Sequence, residues 1–195
     1  MKSDDVEAVV RVHLESFPSF FLSFLGPRFL RLYYSGVCSA YEGIAFVYLN
    51  ADGQTGGFVA GTVNPRRFYS RLLKKQWLRF TLASAAAIFR KPQTIRRIAM
   101  AFFHPSENPN GENVAGLYSI GVLPELHGSG VGKKLVLRFL EEAKRRGCVR
   151  VSLTTDRENN DRVNRFYQTL GFAIGRQYET PEGRKMNEYW IDVKA

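Results

Sequence analysis

Apolar residues recur at helical spacing at the start of the chain and then change to strand spacing. Val6, Val9, Val10 and Leu14 predict a first helix, which Ser3 or Asp4 caps and Phe17-Pro18 ends. The apolar stretch 20–34 predicts further helix, with a fresh helix beginning at Pro27. Residues 44–49 and 58–63 predict two strands, and Asp52-Gly53 marks the turn between them.

The C-terminal half alternates strands and helices. Strand 117–122 ends at Pro124, a helix follows over 131–146 up to Gly147, and residues 149–155 form the next strand. The helix is predicted to bury Leu135, Leu137, Phe139, Leu140 and Ala143. Strand, helix, strand in this order predicts a parallel pair and hence an α/β fold.

A second helix and a hairpin close the chain. Asn159 or Asn160 caps this helix, and a hairpin of strands 172–180 and 185–193 follows it. The helix carries an apolar face at i, i+3, i+4 and i+7, made by Val163, Phe166, Tyr167 and Leu170.

One segment carries the excess positive charge. The net charge is +10, and ten basic residues with no acidic residue lie between Asn64 and His104. Helices are predicted over 66–80, 83–90 and 94–103, followed by a loop over 104–112. Three interpretations stay open for 66–97: binding an anionic membrane surface, binding an anionic substrate, or packing on the core or on a second subunit of a homodimer. No nucleic-acid reading motif accompanies the charge, so no nucleic-acid partner is expected.

Length and composition favour one folded domain over 1–195, with 64–113 as a basic helical insertion and loop. The chain has 195 residues, of which 45% are hydrophobic. It has no apolar run of about 18 residues, no signal-peptide order at its start and only two cysteines, so a reduced cytoplasmic setting is expected.

A glycine cluster opens the helix after strand 117–122. Glycines let backbone N–H groups converge, and a helix N-terminus adds partial positive charge, so the segment 127–132 suits an anion. A phosphate loop needs Gly at 127 and Ser or Thr at 134, where this chain has His127 and Lys134. A dinucleotide fingerprint needs Gly at position 133, which is Lys133. A plain tight turn that packs helix on strand stays open as the alternative.

Two blocks resemble motifs A and B of the GNAT superfamily of N-acetyltransferases. The first is Tyr118-Ser119-Ile120-Gly121-Val122-Leu123-Pro124 with the glycine cluster, and the second runs from Asn159 to the Leu170-Gly171-Phe172 end. The resemblance is strong over 114–193, limited to a helix-helix-hairpin plan over 1–63, and does not cover 64–113. It implies the GNAT fold, a mixed central sheet flanked by helices, here with a helical insertion before the motif A strand.

The sequence departs from the family pattern in two places. His127 stands where the family usually has Gln or Arg. We expect its backbone N–H, and its side chain, still to reach a phosphate. The family also normally begins with a strand before the first helix, whereas this sequence starts almost at the helix.

The resemblance implies a site for acetyl-CoA, with no metal. It assigns the pantetheine arm to main-chain groups of Ile120, Gly121 and Val122, and the oxyanion to the Val122 N–H. It gives Tyr167 the role of general acid for the leaving thiolate, against the alternative of a core aromatic. The general base stays unassigned, with His104, Glu107 and Glu112 in the preceding loop as weak candidates. The remaining cofactor-side positions are His127, Gly128, Ser129, Gly130, Val131, Gly132, Lys133, Asn160 and Asn164.

The function implied is transfer of an acetyl group from acetyl-CoA to a primary amine of a small molecule, with an amino sugar as one candidate. Two alternatives stay open: a protein N-terminal acetyltransferase, and a non-catalytic GNAT-fold module that binds acyl-CoA or docks on a membrane.

Overall fold

A mixed six-stranded sheet forms the centre of the protein. The computed structural model describes residues 1–18, 20–65, 68, 78–83, 113–181 and 183–193. The sheet order is β1-β2-β3-β4-β6-β5, with β3 and β4 parallel and all other neighbours antiparallel, which confirms the predicted α/β class and parallel pair. The strands are β1 (Gly43–Leu49), β2 (Thr55–Thr62), β3 (Val114–Val122), β4 (Arg150–Asp156), β5 (Ala173–Glu179) and β6 (Lys185–Asp192).

Helices cover both faces of this sheet. The α-helices whose two ends both lie within the described residues are α1 (Val6–Ser16), α2 (Phe21–Leu25), α3 (Pro27–Ser39), α4 (Val131–Arg145) and α5 (Asp161–Thr169). Short 3₁₀ turns occupy Ser3–Asp5 and Pro124–Leu126. Pro27 is the first residue of α3, as predicted, because its missing N–H needs no partner there. Within the described ranges, each of the helices is too short or too polar to cross a bilayer.

The sheet separates two hydrophobic cores. Phe58 and Ala60 of β2 face α1 and α3, whereas Val59 between them faces α4. On the α4 side, Gly61 allows a close approach, because a Cβ there would lie 2.8 Å from the Phe139 ring. The two faces of the sheet are therefore called the α1 face and the α4 face below.

A bulge in β3 changes which residues face each core. The register with β2 runs Ala60↔Ser119 and then Gly61↔Leu117, which leaves Tyr118 as the extra residue. Leu117 therefore packs in the core on the α4 face, while Tyr118 packs against the core on the α1 face. After the bulge the alternation is inverted, and Ile120 returns to the α4 face.

Several predicted details differ in the structure. Leu137 and Val163 are 41% and 37% exposed, so both were wrongly placed on buried faces, and Val136 is buried instead. Because a helix has 3.6 residues per turn, periodicity alone does not settle which of two adjacent residues at the edge of the apolar face is buried. The packing of the helix on the sheet settles it. Strand β3 begins at Val114, before the predicted residue 117, and α3 continues to Ser39. Asp5, not Ser3 or Asp4, precedes α1.

The basic insertion is described only in part. Its described residues 65, 68 and 78–83 are helical, and 78–83 crosses the break predicted after residue 80. Phe68 and Phe80 are buried in the core of the α1 face, and the Phe80 ring lies 5.0 Å from Phe29. Of the ten basic residues, Arg79 lies within the described ranges and is exposed. The other predicted helical residues and the loop 104–112 lie outside them.

Candidate active site

Strands β3 and β4 separate after a short parallel ladder, and a cavity occupies the gap. The ladder pairs Val114 with Arg150 and ends at Gly116 with Ser152, although β3 continues to Val122 and β4 to Asp156. The cavity has a volume of about 790 Å³ and is lined from both strands, from α1 and from α5. It therefore reaches both faces of the sheet, with two strand edges as its walls.

The glycine cluster lies at the end of this gap. Gly128 and Gly130 both have φ of +81°, and an added Cβ at either would meet no atom within 4 Å, so the turn is open above them. Gly130 is the N-cap of α4, which brings the helix N-terminus to the cavity. The residues around the turn thus present backbone, rather than side chains, to a ligand.

Free amide donors concentrate in the second half of the cluster. Within the described chain, the N–H groups of Gly128, Gly130, Val131 and Gly132 donate no backbone hydrogen bond. The N–H groups of His127 and Ser129 are already used, donating to the carbonyls of Pro124 and Leu126 at 3.1 and 3.3 Å. Ser129 also lies outside the cavity lining, and its hydroxyl donates to the Leu126 carbonyl.

His127 turns its side chain back toward the sheet. Its Nε2 lies 3.0 Å from the carbonyl oxygen of Val122, which also accepts the Ser16 hydroxyl at 3.2 Å. Both bonds tie the end of β3 to neighbouring segments. The structure therefore places the His127 ring across the strand end, where it fixes the entry to the glycine cluster.

Two residues of β3 direct main-chain groups into the gap. Leu123 donates its N–H to the carbonyl of Gly56 in β2 at 2.9 Å. Since hydrogen-bonding directions alternate along an antiparallel ladder, Gly121 also faces β2, and Ile120 and Val122 face the gap. All three residues line the cavity, but Ile120 and Val122 supply the groups that a ligand lying along the strand edge would meet.

Tyr167 lies on the α4 face of the cavity. It is 5% exposed and is surrounded by the rings of Phe166, Phe172 and Tyr189 at 5.2, 5.6 and 5.9 Å. Burial raises the pKa of its phenol, so the group is protonated at neutral pH. The residue lines the cavity. Both interpretations of Tyr167, core aromatic and proton donor, are compatible with this position.

Asn160 and Asn164 occupy different positions. Asn160 lines the cavity, and its Nδ2 donates to Thr155 Oγ1 and to the Asp156 carbonyl, so it joins α5 to the end of β4 rather than capping α5. Asn164 lies outside the cavity lining and is 9% exposed. Its Oδ1 accepts from Asn187 and Tyr189 at 2.9 and 3.0 Å, and its Nδ2 donates to carbonyls of 156, 157 and 160. Its amide is fully occupied.

The rim of the cavity is positively charged. Lys133 and Arg162 are exposed and line it, and no acidic side chain does so among the described residues. Together with the α4 N-terminus, these cations favour an anionic ligand at this end. The described residues also contain no metal-binding group of His, Cys, Asp and Glu.

The structure adds cavity residues on the α1 face that the sequence reasoning missed. His13, Ser16 and Ser119 line the cavity there, and His13 is 3% exposed. His13 lies one helical repeat after Val6 on the same buried stripe, which is the sequence signal that was available. The suggested bases His104, Glu107 and Glu112 lie outside the described residues.

Comparisons with known proteins agree with this geometry. The model of the acetyltransferase (GNAT) family matches residues 13–172. The chain is 42% identical over 65 residues to a mycothiol acetyltransferase of Thermobifida fusca, a match that covers 33% of this chain and 20% of that protein. It is 32% identical over 74 residues to a 5-NmdU N-acetyltransferase of Pseudomonas phage PaMx11, covering 38% of this chain and 50% of that protein. The chain therefore spans at most about half the length of these curated relatives.

Solved structures share the whole fold at low sequence identity. The ribosomal-protein-S18-alanine N-acetyltransferase of Escherichia coli superposes with a TM-score of 0.61 at 14% identity, covering 100% of this chain and 92% of that chain. An N-acetyltransferase of Staphylococcus aureus Mu50 gives 0.62 at 15% identity, covering 100% and 96%. These likenesses concern the fold alone.

Proposed function

Because the chain belongs to the acetyltransferase (GNAT) family, we propose that it is an N-acetyltransferase that moves the acetyl group of acetyl-CoA to a primary amine of a small molecule. The observation that carries the proposal is the gap between β3 and β4, which ends at the free amides of the glycine cluster. A long ligand with an anionic part and an amide-bearing arm fits these two features together.

The described residues suit acetyl-CoA in three places. The N–H groups of Gly128, Gly130, Val131 and Gly132 would hold the pyrophosphate at the start of α4. Lys133 at the rim adds a positive charge to the same end. The gap-facing main-chain groups of Ile120 would pair with an amide of the pantetheine arm, as a neighbouring strand would. The Val122 carbonyl already accepts the Ser16 hydroxyl and contacts His127 Nε2, so Val122 offers its N–H.

Two protein groups would serve the chemistry. The Val122 N–H faces the gap and is the candidate donor to the carbonyl oxygen as negative charge develops on it. Tyr167 is the candidate donor to the leaving thiolate. A free thiol has a pKa of about 8.5 and a phenol one of about 10, but burial raises the pKa of both groups, so proton transfer between them stays accessible in the apolar site.

The neighbouring polar residues then act mainly as positioning groups. Asn160 ties α5 to the end of β4 and lines the cavity, so it retains a place on the cofactor side. Asn164 holds α5 through bonds to β6 and to 156–160, which supports a role in placing Tyr167 rather than in touching the cofactor. His127 positions the glycine cluster in the same way.

The acceptor is proposed to be a small amine, and an amino sugar is the class to test first. The partial match to an acetyltransferase named for mycothiol supports a small-molecule acceptor. The similar fold of the S18-alanine enzyme keeps a protein N-terminus as the second candidate. A panel of glucosamine, tryptamine and a peptide with a free N-terminal alanine, with thiol release as the signal, separates these classes.

The cofactor site is tested by matched glycine variants. Gly130→Asp should abolish acetyl-CoA binding measured by calorimetry, because it places a carboxylate where the pyrophosphate is proposed to lie. Gly53→Asp is the control, since Gly53 has φ of +74° and no atom within 4 Å of an added Cβ, but lies in the β1–β2 turn. Equal affinity in folded Gly130→Asp and Gly53→Asp proteins would contradict the proposed cofactor site.

A further inference from the structure

His13 is a buried polar residue in the cavity wall that the chemistry above does not use. Its Nδ1 lies 2.6 Å from the hydroxyl oxygen of Tyr34. Its Nε2 is buried and has no hydrogen-bond partner among the described residues. Buried polar atoms are nearly always paired, so an unpaired ring nitrogen beside a cavity marks a place for a group of the ligand.

The imidazole ring is held in a fixed orientation. The rings of Phe17 and Phe58 lie 5.0 and 6.2 Å from it, and Tyr34, which bonds Nδ1, is fully buried. Burial raises the pKa of the Tyr34 phenol, and the neighbouring Ser119 side chain on β3 lowers it in part. Helix α1, helix α3 and strand β3 are therefore connected through a chain of three polar side chains.

This chain begins and ends at the cavity. His13 and Ser119 both line it, whereas Tyr34, between them, does not. Ser119 immediately precedes Ile120, whose main-chain groups face the gap. Tyr167 lies on the opposite face of the sheet, so the two candidate proton-transfer groups lie on opposite sides of the gap.

The surroundings keep His13 uncharged. Burial lowers the pKa of its imidazole to about 4, and its ring neighbours Phe17, Tyr34 and Phe58 carry no charge. At neutral pH the ring has one N–H and one lone pair. When Nδ1–H donates to the Tyr34 oxygen, the lone pair is on Nε2.

We propose that His13 accepts the proton that the acceptor nitrogen loses as it attacks the acetyl carbon, with Tyr34 as its positioning residue. The inference rests on the proposed acetyl transfer. The C–N bond forms, the C–S bond breaks, the nitrogen proton moves to His13 Nε2, and the thiolate receives its proton from the Tyr167 side.

The hydroxyl groups of Tyr34 and Ser119 explain how His13 can act as a base although its buried site disfavours a charged imidazolium. As Nε2 takes a proton, Nδ1 releases its own to the Tyr34 oxygen, and Tyr34 passes its hydroxyl proton to Ser119. Ser119 releases a proton to solvent in the cavity that it lines. No step leaves a charge resident on the buried ring, which the apolar surroundings would penalise.

The test compares three variants at saturating acetyl-CoA, using the best acceptor of the panel of glucosamine, tryptamine and alanine peptide. His13→Gln should lower kcat by about 10²-fold or more, the usual contribution of a general base, and leave acetyl-CoA affinity within twofold. Tyr34→Phe should lower kcat about tenfold, the value of one hydrogen bond. Tyr33→Phe removes a neighbouring buried hydroxyl on the same helix and should stay within threefold of wild type.

Chemical rescue separates catalysis from packing. Added imidazole should restore activity to His13→Gly and not to Tyr34→Phe, because only the first variant leaves a space of that shape. A folded His13→Gln protein within threefold of wild-type kcat overturns the proposal, and if that variant does not fold, Tyr34→Phe within threefold does so. A wild-type protein that releases no thiol with any panel amine overturns the proposed function itself, which is a distinct result.

Discussion

Replacing Asn164 with alanine is expected to destabilise the protein strongly, because this side chain satisfies two buried donors. Its Oδ1 accepts from Asn187 Nδ2 at 2.9 Å and from Tyr189 Oη at 3.0 Å, and these residues are 4% and 0% exposed. The Asp156 carbonyl keeps its bond from Asn160, and the Asn160 carbonyl keeps its bond from the residue 164 N–H. The loss therefore falls mainly on the two donors.

The magnitude follows from those two donors. Each buried donor left without a partner costs roughly 1–3 kcal/mol, so with two donors Asn164→Ala should lower the free energy of unfolding by about 2–6 kcal/mol. That is a large part of the stability of about 5–15 kcal/mol that a domain has. Gln168→Ala is the matched control, because Gln168 is exposed on the same helix and should change stability by less than about 0.5 kcal/mol.

Urea unfolding followed by circular dichroism measures both variants. A double-mutant cycle with Tyr189→Phe should give a coupling energy of about 1 kcal/mol. Asn164→Ala should destabilise the Tyr189→Phe protein less than the wild type, because the Tyr189 donor is already absent there. A loss below 1 kcal/mol for Asn164→Ala, with reduced acetyl-CoA affinity, would refute the positioning role and return Asn164 to the cofactor site.

Four further predictions concern other parts of the chain. Tyr167→Phe should lower kcat by about 10²-fold and leave acetyl-CoA affinity nearly unchanged in calorimetry, whereas activity within threefold of wild type would make Tyr167 a core residue only. Glu142→Gln should lower the free energy of unfolding by about 1–2 kcal/mol at pH 7, a modest loss because the partner arginines are exposed to solvent. Bonds from Arg145 and Arg146 hold the pKa of this carboxyl at about 2, so the difference between variant and wild type should shrink as the pH falls below 4.5. Phe80→Ala should cost about 3–5 kcal/mol in thermal unfolding if the insertion is part of the core, against under 0.5 kcal/mol for the exposed Leu82→Ala. Changing Arg66, Arg67, Arg71, Lys74 and Lys75 to Gln should raise the acceptor KM or abolish binding to anionic liposomes, and if neither responds the charges are only a solvated surface.

The sequence predicted the order of elements well, because caps, breakers and period act locally. Pro27 begins α3 and Gly147 follows the end of α4, both as predicted, and the glycine cluster precedes a helix as predicted. The buried face of each helix was harder to predict than its ends. Val136 and Leu137 are adjacent, and only packing against the sheet determines that Val136 is the buried one.

The site needed information that no local pattern contains. The bulge at Tyr118, which brings Ser119 to the α1 face, appears only once β2 is paired with β3. The bond between His13 and Tyr34 joins residues 21 positions apart through two helices. The use of the His127 and Ser129 amides inside the turn depends on the 3₁₀ geometry of Pro124–Leu126, which the motif alone does not specify.

The early end of the β3–β4 ladder has a mechanical consequence. Three residue pairs join the half-sheet β1-β2-β3 to the half-sheet β4-β6-β5, and each half is otherwise held by longer antiparallel ladders. We expect so short a seam to let the two half-sheets rock against each other, and a ligand that bridges the open strand edges to hold them together. The protein would then be stiffest while its donor is bound, and slowed amide hydrogen exchange along the facing edges of β3 and β4 would record the clamping.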